Sequence, residues 1–328
     1  MKILVTGGLG LIGHNVAVLL DQLGHRVVIT DTQTNYGVIP QEELDYLLVE
    51  RRKKIKQASF YRYNITDKKN IDYLFTFEKF DMVIHMASFP RQKVVNADPT
   101  LGARVMMEGL INLLEASKRT GVKKFLYISS SMVYGDFVDD VTEAAVCRPQ
   151  GQYGIMKLAG EHLVQDYTRR GCFDHVIIRP SAVYGELDVE DRVVSKFMLA
   201  AMRGQVLKVN GANETLDFTY VEDAAQGIAS AAVSDQARNK IYNITKSHST
   251  SLLQAAELAV KIAGQGSIEV RDKDADFPSR GALNIDAARR DFGFNPKVDV
   301  EEGFERYHAW FNSSTYWGER IKNDHRTK

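Results

Sequence analysis

Residues 2–13 read KILVTGGLGLIG, and this stretch decides the fold. KILVT is a short apolar run of strand length, and from Leu11 to Leu23 the apolar residues recur at helical spacing. Between the two lie Gly7, Gly10 and Gly13. Glycines at these intervals allow a tight turn, let the backbone approach a pyrophosphate, and let the helix pack on the strand. The first turn of the helix, at Leu11 and Ile12, then offers N–H groups and a partial positive charge to phosphate.

Working outward, further strand-like runs lie at 26–30 (RVVIT), 60–63, 81–85 (DMVIH), 124–129 (KFLYIS) and 175–179 (HVIIR). Helical patterns separate most of them, at 67–77, 99–120 and 150–170. Continuous apolar strands alternating with helices imply a parallel sheet covered on both faces. Right-handed crossovers make it a doubly wound α/β sheet, the Rossmann arrangement. Beyond Arg179 the rhythm loosens, with helices expected at 191–203, 223–233, 251–263 and 300–311. The division expected is a dinucleotide-binding domain over 1–179, rejoined by 212–245, and a smaller mixed α/β substrate domain from 180–211 and 246–312. Residues 313–328 read as a polar tail. The long connection 32–57 contains Glu50-Arg51-Arg52-Lys53-Lys54, read as the solvated face of a helix.

Composition narrows the class. Lys plus Arg and Asp plus Glu each number 42 in 328 residues, so no net charge recruits nucleic acid or an anionic membrane. No apolar run approaches the roughly 20 residues of a membrane span, and no signal peptide is read before the first strand. Two cysteines, Cys147 and Cys172, suggest neither a metal site nor a disulfide framework, and a cytoplasmic setting is expected. Asp31 ends the second strand, 18 residues beyond Gly13. A carboxylate there accepts hydrogen bonds from ribose hydroxyls and repels a 2′-phosphate, so NAD is expected rather than NADP.

Tyr153 and Lys157 are four apart on an expected helix and share a face. A tyrosine with a pKa near 10 needs roughly 4 kcal/mol of phenolate stabilisation to act near pH 7. A neighbouring ammonium and an oxidised nicotinamide are the groups able to supply it. Tyr153 would then be a general base toward a hydroxyl.

With these segments in order, the chain resembles the extended short-chain dehydrogenases/reductases, specifically the NAD-dependent epimerase/dehydratase family. The segments are TGGLGLIG (6–13), Asp31, DMVIHMAS (81–88), GLINLLEAS (109–117), KKFLYISSSMVYGD (123–136), RPQGQYGIMKLAGE (148–161), IIRPSAVYGE (177–186), DFTYVEDAAQGI (217–228), KIYNITKSHSTSL (240–252) and DFGFNP…EEGFERY (291–307). The resemblance implies catalytic roles for Ser130, Tyr153 and Lys157, with Ser131 a further substrate contact. It implies cofactor contacts at Asn64, Ile65, Ala87 and Pro180, besides Tyr153 and Lys157, and a homodimer built through the helices at 109–117 and 153–167. His85 reads as a satisfied buried histidine.

The resemblance also exposes departures. Met106, Ala182 and Leu216 stand where many family members have Asn, Asn and Arg, the last two usually addressing the substrate diphosphate. Arg91, Lys93, Arg192, Lys196 and Arg280 are candidate replacements, with Arg91, Arg192 and Arg280 foremost. Ser131 and Met132 stand where related dehydratases and decarboxylases carry acids. The expectation is therefore an NAD-dependent sugar-nucleotide epimerase. The alternatives are a dehydrogenase of a sugar or sugar acid and a non-catalytic NAD-binding sensor.

Overall fold

The computed structural model describes residues 1–326 except Tyr36, Val38, Pro90, Arg91 and Asp276, with no side chains described beyond Ile321. In chain order the first half contains β1 (Lys2–Thr6), α1 (Leu11–Gln22), β2 (Arg26–Thr30), α2 (Gln41–Lys54), β3 (Ser59–Tyr61), α3 (Lys68–Glu78), β4 (Met82–His85), α4 (Gln92–Ala97), α5 (Pro99–Ala103), a π-helical turn (Arg104–Glu108), α6 (Gly109–Thr120), β5 (Lys124–Ile128), a 3₁₀ turn (Ser131–Val133) and α7 (Gly151–Arg169). The second half contains β6 (Asp174–Pro180), β7 (Val183–Tyr184), α8 (Val193–Met202), β8 (Val206–Asn210), β9 (Thr215–Asp217), β10 (Thr219–Tyr220), α9 (Val221–Val233), β11 (Lys240–Ile244), β12 (Ser249–Ser251), α10 (Leu252–Ala263), β13 (Ser267–Arg271), α11 (Asp286–Phe292), α12 (Val300–Ser313) and α13 (Trp317–Arg326).

Seven strands form one parallel sheet in the order β3-β2-β1-β4-β5-β6-β11. This is the doubly wound arrangement expected from the sequence. Successive side chains on each strand face opposite sides. Thus Ile3 and Val5 of β1 join a core with Val16, Leu20 and Ile228 on the α1–α9 side. Leu4 between them joins Ile71, Leu74, Leu113 and Val164 on the α3–α6–α7 side. The strand order reverses between β1 and β4, and ligands of open α/β sheets bind in the crevice at such a switch point.

A second core holds the rest of the chain. Phe197, Met198, Phe218, Phe304 and Phe311 are buried there. Tyr184 stands edge-on to Phe218, Tyr220 and Phe304. Three two-stranded pairings, β7–β10, β8–β13 and β9–β12, accompany these helices. Within 212–245, α9 and β11 belong to the first core, whereas Leu216, Phe218 and Tyr220 belong to the second. Among the described residues no helix is long and apolar enough to cross a membrane.

Three expectations are corrected. The segment read as a polar tail carries α13, whose Trp317 (1% exposed) and Ile321 (5%) join the second core. Two apolar residues four apart on a polar helix suffice to dock it, and composition conceals them. The single helix expected at 99–120 is α5 and α6 joined by the π-helical turn. Within the run read as a solvated face, Arg51 is buried against the second half of the chain.

Candidate active site at the sheet switch point

The dinucleotide loop leaves β1 at the switch point. Gly7 has φ 67, and a Cβ there would lie 2.8 Å from the backbone of Ala87, just beyond β4. A Cβ on Gly13 would lie 2.3 Å from the Gly7 carbonyl oxygen. Side chains at either place would force the turn open. The α1 N-cap, Gly10, has no side chain to cap the helix, so the first-turn N–H groups at Leu11 and Ile12 remain for an anion. This cradle fits a pyrophosphate.

Asp31 sits just beyond β2. Its Oδ2 accepts the Leu9 N–H at 3.0 Å and its Oδ1 the Gln33 N–H at 2.8 Å. Burial pushes the carboxyl up, while those N–H groups and the Arg51 charge pull it down. Asn64 accepts the Thr66 N–H at 3.0 Å, making a local turn. Ile65 is buried, with its carbonyl accepting from Asn112 Nδ2 at 3.0 Å. Pro180 ends β6 opposite Ile244 of β11. His85 is buried with Nδ1 2.7 Å from the Thr6 hydroxyl, and burial lowers its pKa to about 3. It is a neutral structural histidine.

Ser130, Tyr153 and Lys157 come together beyond β5. Ser130 precedes the 3₁₀ turn, accepts the Met132 N–H at 3.2 Å, and its hydroxyl acts on the Tyr153 phenol, lowering it. Lys157 is 4% exposed, donates to the Ile128 carbonyl at 2.8 Å, and lies 5.7 Å from the Tyr153 ring centroid. Burial pulls its pKa down to about 7, opposed by Glu161. The Tyr153 phenol is pushed up by burial, opposed by the Arg192 charge and the Ser130 hydrogen bond. The side chains alone therefore do not bring Tyr153 toward neutrality. A cationic cofactor ring beside it would act in that direction.

Of the candidate arginines, Arg192 caps α8, lies 3.9 Å from Asp188, and is electrostatically coupled to Tyr153. Among the described residues its buried Nε has no hydrogen-bond partner. Arg280 is half-buried, its Nε also without a partner among the described residues, and Glu214 acts on its charge. Arg91 lies outside the described residues. Lys93 pairs with Asp274 and Lys196 with Asp191, both largely exposed. Ser131 is buried and donates to the Ser181 hydroxyl at 3.3 Å. Met106 packs with Phe89, Val95 and Tyr153 in an apolar cluster, so an apolar wall stands where an amide would otherwise be. No group of His, Cys, Asp and Glu able to hold a metal occurs among the described residues.

Sequence reading missed the support beneath this site. Glu161, one turn beyond Lys157, accepts from Arg179 Nε at 2.9 Å, Arg179 Nη2 at 2.6 Å and the Ser129 hydroxyl at 2.5 Å. Arg179 also donates to the Tyr134 hydroxyl at 3.0 Å, which donates to Asn243 at 2.9 Å. The available signal was the four-residue spacing of Tyr153, Lys157 and Glu161, which puts all three on one helix face.

A glycine cradle at the switch point of a parallel sheet, with a tyrosine–lysine pair at the neighbouring strand end, defines a nicotinamide-dinucleotide enzyme. Comparison gives the family directly: the profile of the NAD dependent epimerase/dehydratase family matches residues 3–245, and the chain belongs to that family. A Bacillus subtilis protein described as an uncharacterized UDP-glucose epimerase is 28% identical, over 97% of this chain and 100% of its own. A mouse dTDP-D-glucose 4,6-dehydratase is 26% identical over 95% of this chain and 89% of its own. Among solved structures, the Thermotoga maritima UDP-glucose 4-epimerase with UDP-glucose superposes with TM-score 0.85 and 26% identity, over 95% of this chain and 99% of its own. The Bacillus cereus UDP-glucuronic acid 4-epimerase with UDP-glucuronic acid and NAD gives 0.87 and 26%, over 94% and 98%.

Proposed function

We propose that the protein is an NAD-dependent sugar-nucleotide epimerase that transiently oxidises a sugar hydroxyl. The observation that carries this reading is the gathering of Ser130, Tyr153 and Lys157 beyond β5, the strand next to the switch point that holds the glycine cradle. When bound, NAD supplies the hydride acceptor and donor. Tyr153 takes the proton from the hydroxyl that becomes a carbonyl, and returns it when the alcohol re-forms. Ser130 holds the same oxygen. Lys157, fixed by the Ile128 carbonyl, anchors the cofactor ribose and favours the phenolate. Elimination or decarboxylation would need a further acid or base beside the sugar. The positions after Ser130 hold buried Ser131 and Met132, which do not ionise near neutral pH.

The relatives that handle UDP-glucose and UDP-glucuronic acid direct the test. Each nucleotide-sugar is incubated with the protein and NAD. Product NMR is read for an inverted centre, with absorbance at 340 nm for released NADH. Inversion without NADH release supports epimerisation, whereas stoichiometric NADH makes the enzyme a dehydrogenase. Absence of either reaction with all nucleotide-sugars tried, alongside tight NAD binding, favours the sensor reading.

Asp31 sets the cofactor preference. Wild type is expected to bind NAD far more tightly than NADP, and Asp31→Ala to narrow the ratio. Because Asp31 also holds the Leu9 N–H, absolute NAD affinity falls in the mutant too, so the ratio is the measurement. Equal wild-type affinities would remove Asp31 from this role.

Arg192 is the foremost anion ligand on the substrate side, with Arg280 second. The Arg192 charge lowers the Tyr153 phenol, which supports a position for it on the substrate side and favours a substrate with an acidic group there over one recognised by its diphosphate alone. Charge-assisted bonds are worth about 1.5–3 kcal/mol. Arg192→Ala should therefore raise KM at least about tenfold, more for UDP-glucuronic acid than for UDP-glucose. An unchanged KM for both would exclude Arg192 from the pocket.

The homodimer belongs to the same proposal. Ile111 on α6 and Ile155 on α7, the two helices the family resemblance assigns to the contact, are 41% and 52% exposed. Light scattering of the purified protein tests it. Cys147 and Cys172 are free thiols, in keeping with the proposed cytoplasmic setting.

A further inference from the structure

The long connection after β2 grips the substrate side of the molecule at one short turn. Arg51 of α2 is 5% exposed. Its Nη1 donates to the Leu9 carbonyl at 2.9 Å, inside the dinucleotide loop. Its Nε and Nη2 both donate to the Leu187 carbonyl, at 3.2 and 2.6 Å. One rigid guanidinium thus joins two backbone segments 178 positions apart (187 less 9). Two turns earlier on α2, Glu43 Oε1 accepts the Glu190 N–H at 2.7 Å, so the helix holds the turn at both ends.

The turn itself needs holding. Leu187 has φ 65, a conformation that bulky side chains rarely adopt and that persists only when its surroundings impose it. Five residues later comes Arg192, which caps α8 and whose charge acts on Tyr153. Burying a guanidinium is costly, and apolar residues of similar volume commonly serve stability as well or better. The carboxylates of Asp188, Asp31 and Glu43 offset the cost here. Hydrogen bonds to a strained carbonyl on one side and a cofactor-loop carbonyl on the other give the cation a connecting role.

We propose that Arg51 is a positioning residue joining the dinucleotide loop to the turn that carries Arg192, so that filling the dinucleotide site fixes the substrate-side turn. The inference rests on the assignment of the glycine loop and Arg192 made above. Leu9 donates to Asp31 and its carbonyl receives Arg51, so ordering of the loop by a dinucleotide restrains Arg51 and, through it, Leu187. Coupling of this kind requires only that one ligand bias an element shared by both sites.

Amide hydrogen exchange on the full chain tests it with NAD alone. In wild type, NAD should slow exchange in peptides covering 7–13 and in peptides confined to 185–192. In Arg51→Lys, which keeps a buried cation but loses the fork, protection at 7–13 should remain. The NAD-induced slowing at 185–192 should fall by about tenfold or more. Full retention of that slowing in Arg51→Lys overturns the proposal, because a residue that merely fills space would leave the NAD-dependent difference intact. Wild type settles it independently of the variant's folding: NAD protection at 7–13 with none at 185–192 also overturns it. No NAD protection at 7–13 overturns instead the dinucleotide-site reading beneath it.

Discussion

Tyr153→Phe should leave a folded protein that binds NAD as wild type does and turns over at least about 10²-fold more slowly, the scale of general acid–base catalysis. The substitution removes one oxygen. The ring stays packed against the cluster of Phe89, Val95 and Met106, and Lys157 retains its bond to the Ile128 carbonyl. What disappears is the group proposed to exchange a proton with the sugar hydroxyl. Ser130 cannot replace it, because its hydroxyl does not ionise near neutral pH. The pH profile carries a second check. Burial holds Lys157 at about 7, so its ammonium is present below that pH and lost above it. If Lys157 supports the Tyr153 phenolate as proposed, turnover should fall as pH rises through about 7. Near-normal turnover by Tyr153→Phe with any substrate from the NMR screen would take Tyr153 out of the mechanism.

Glu161→Ala should cost about 3–5 kcal/mol of folding stability, the scale of breaking a buried ion pair by removing one partner. Arg179 and Glu161 side chains are 3% and 2% exposed. Without the carboxylate, the guanidinium keeps the Tyr134 hydroxyl and ring and, at 3.3 Å, the Glu143 carbonyl, none of them an anion. The Ser129 hydroxyl, next to Ser130, loses its acceptor as well. Denaturant unfolding measures the loss, and the double variant Glu161→Leu/Arg179→Leu should recover part of it by removing both charges. A single variant within about 1 kcal/mol of wild type would show that water or a shifted side chain satisfies Arg179.

Much of the fold was legible because its signals are local. Strand runs such as KILVT and DMVIH are apolar on both faces, as strands covered on both sides must be. Boundaries moved by one or two residues, as at β3, where 60–63 was expected and Ser59–Tyr61 forms. The helix from Pro99 to Thr120 was legible as helical, but the π-helical turn inside it was not. The segment 104–108 contains neither Gly nor Pro to mark a change of winding.

By itself the sequence determined the parallel sheet, the glycine cradle, the carboxylate after β2, and the shared helix face of Tyr153 and Lys157. Each of these depends on a spacing of a few residues or on one strand–turn–helix unit. The tertiary structure alone decided which charges are buried and what they face. Arg51, Arg52, Lys53 and Lys54 read alike in the chain, yet only Arg51 reaches the Leu9 and Leu187 carbonyls across the molecule. Glu161 meets Arg179 because α7 packs on β6, and the charge of Arg192, 39 positions away in the chain (192 less 153), acts on Tyr153. Such contacts join residues distant in the chain, and a side chain's type does not encode the partner that chain folding brings to it.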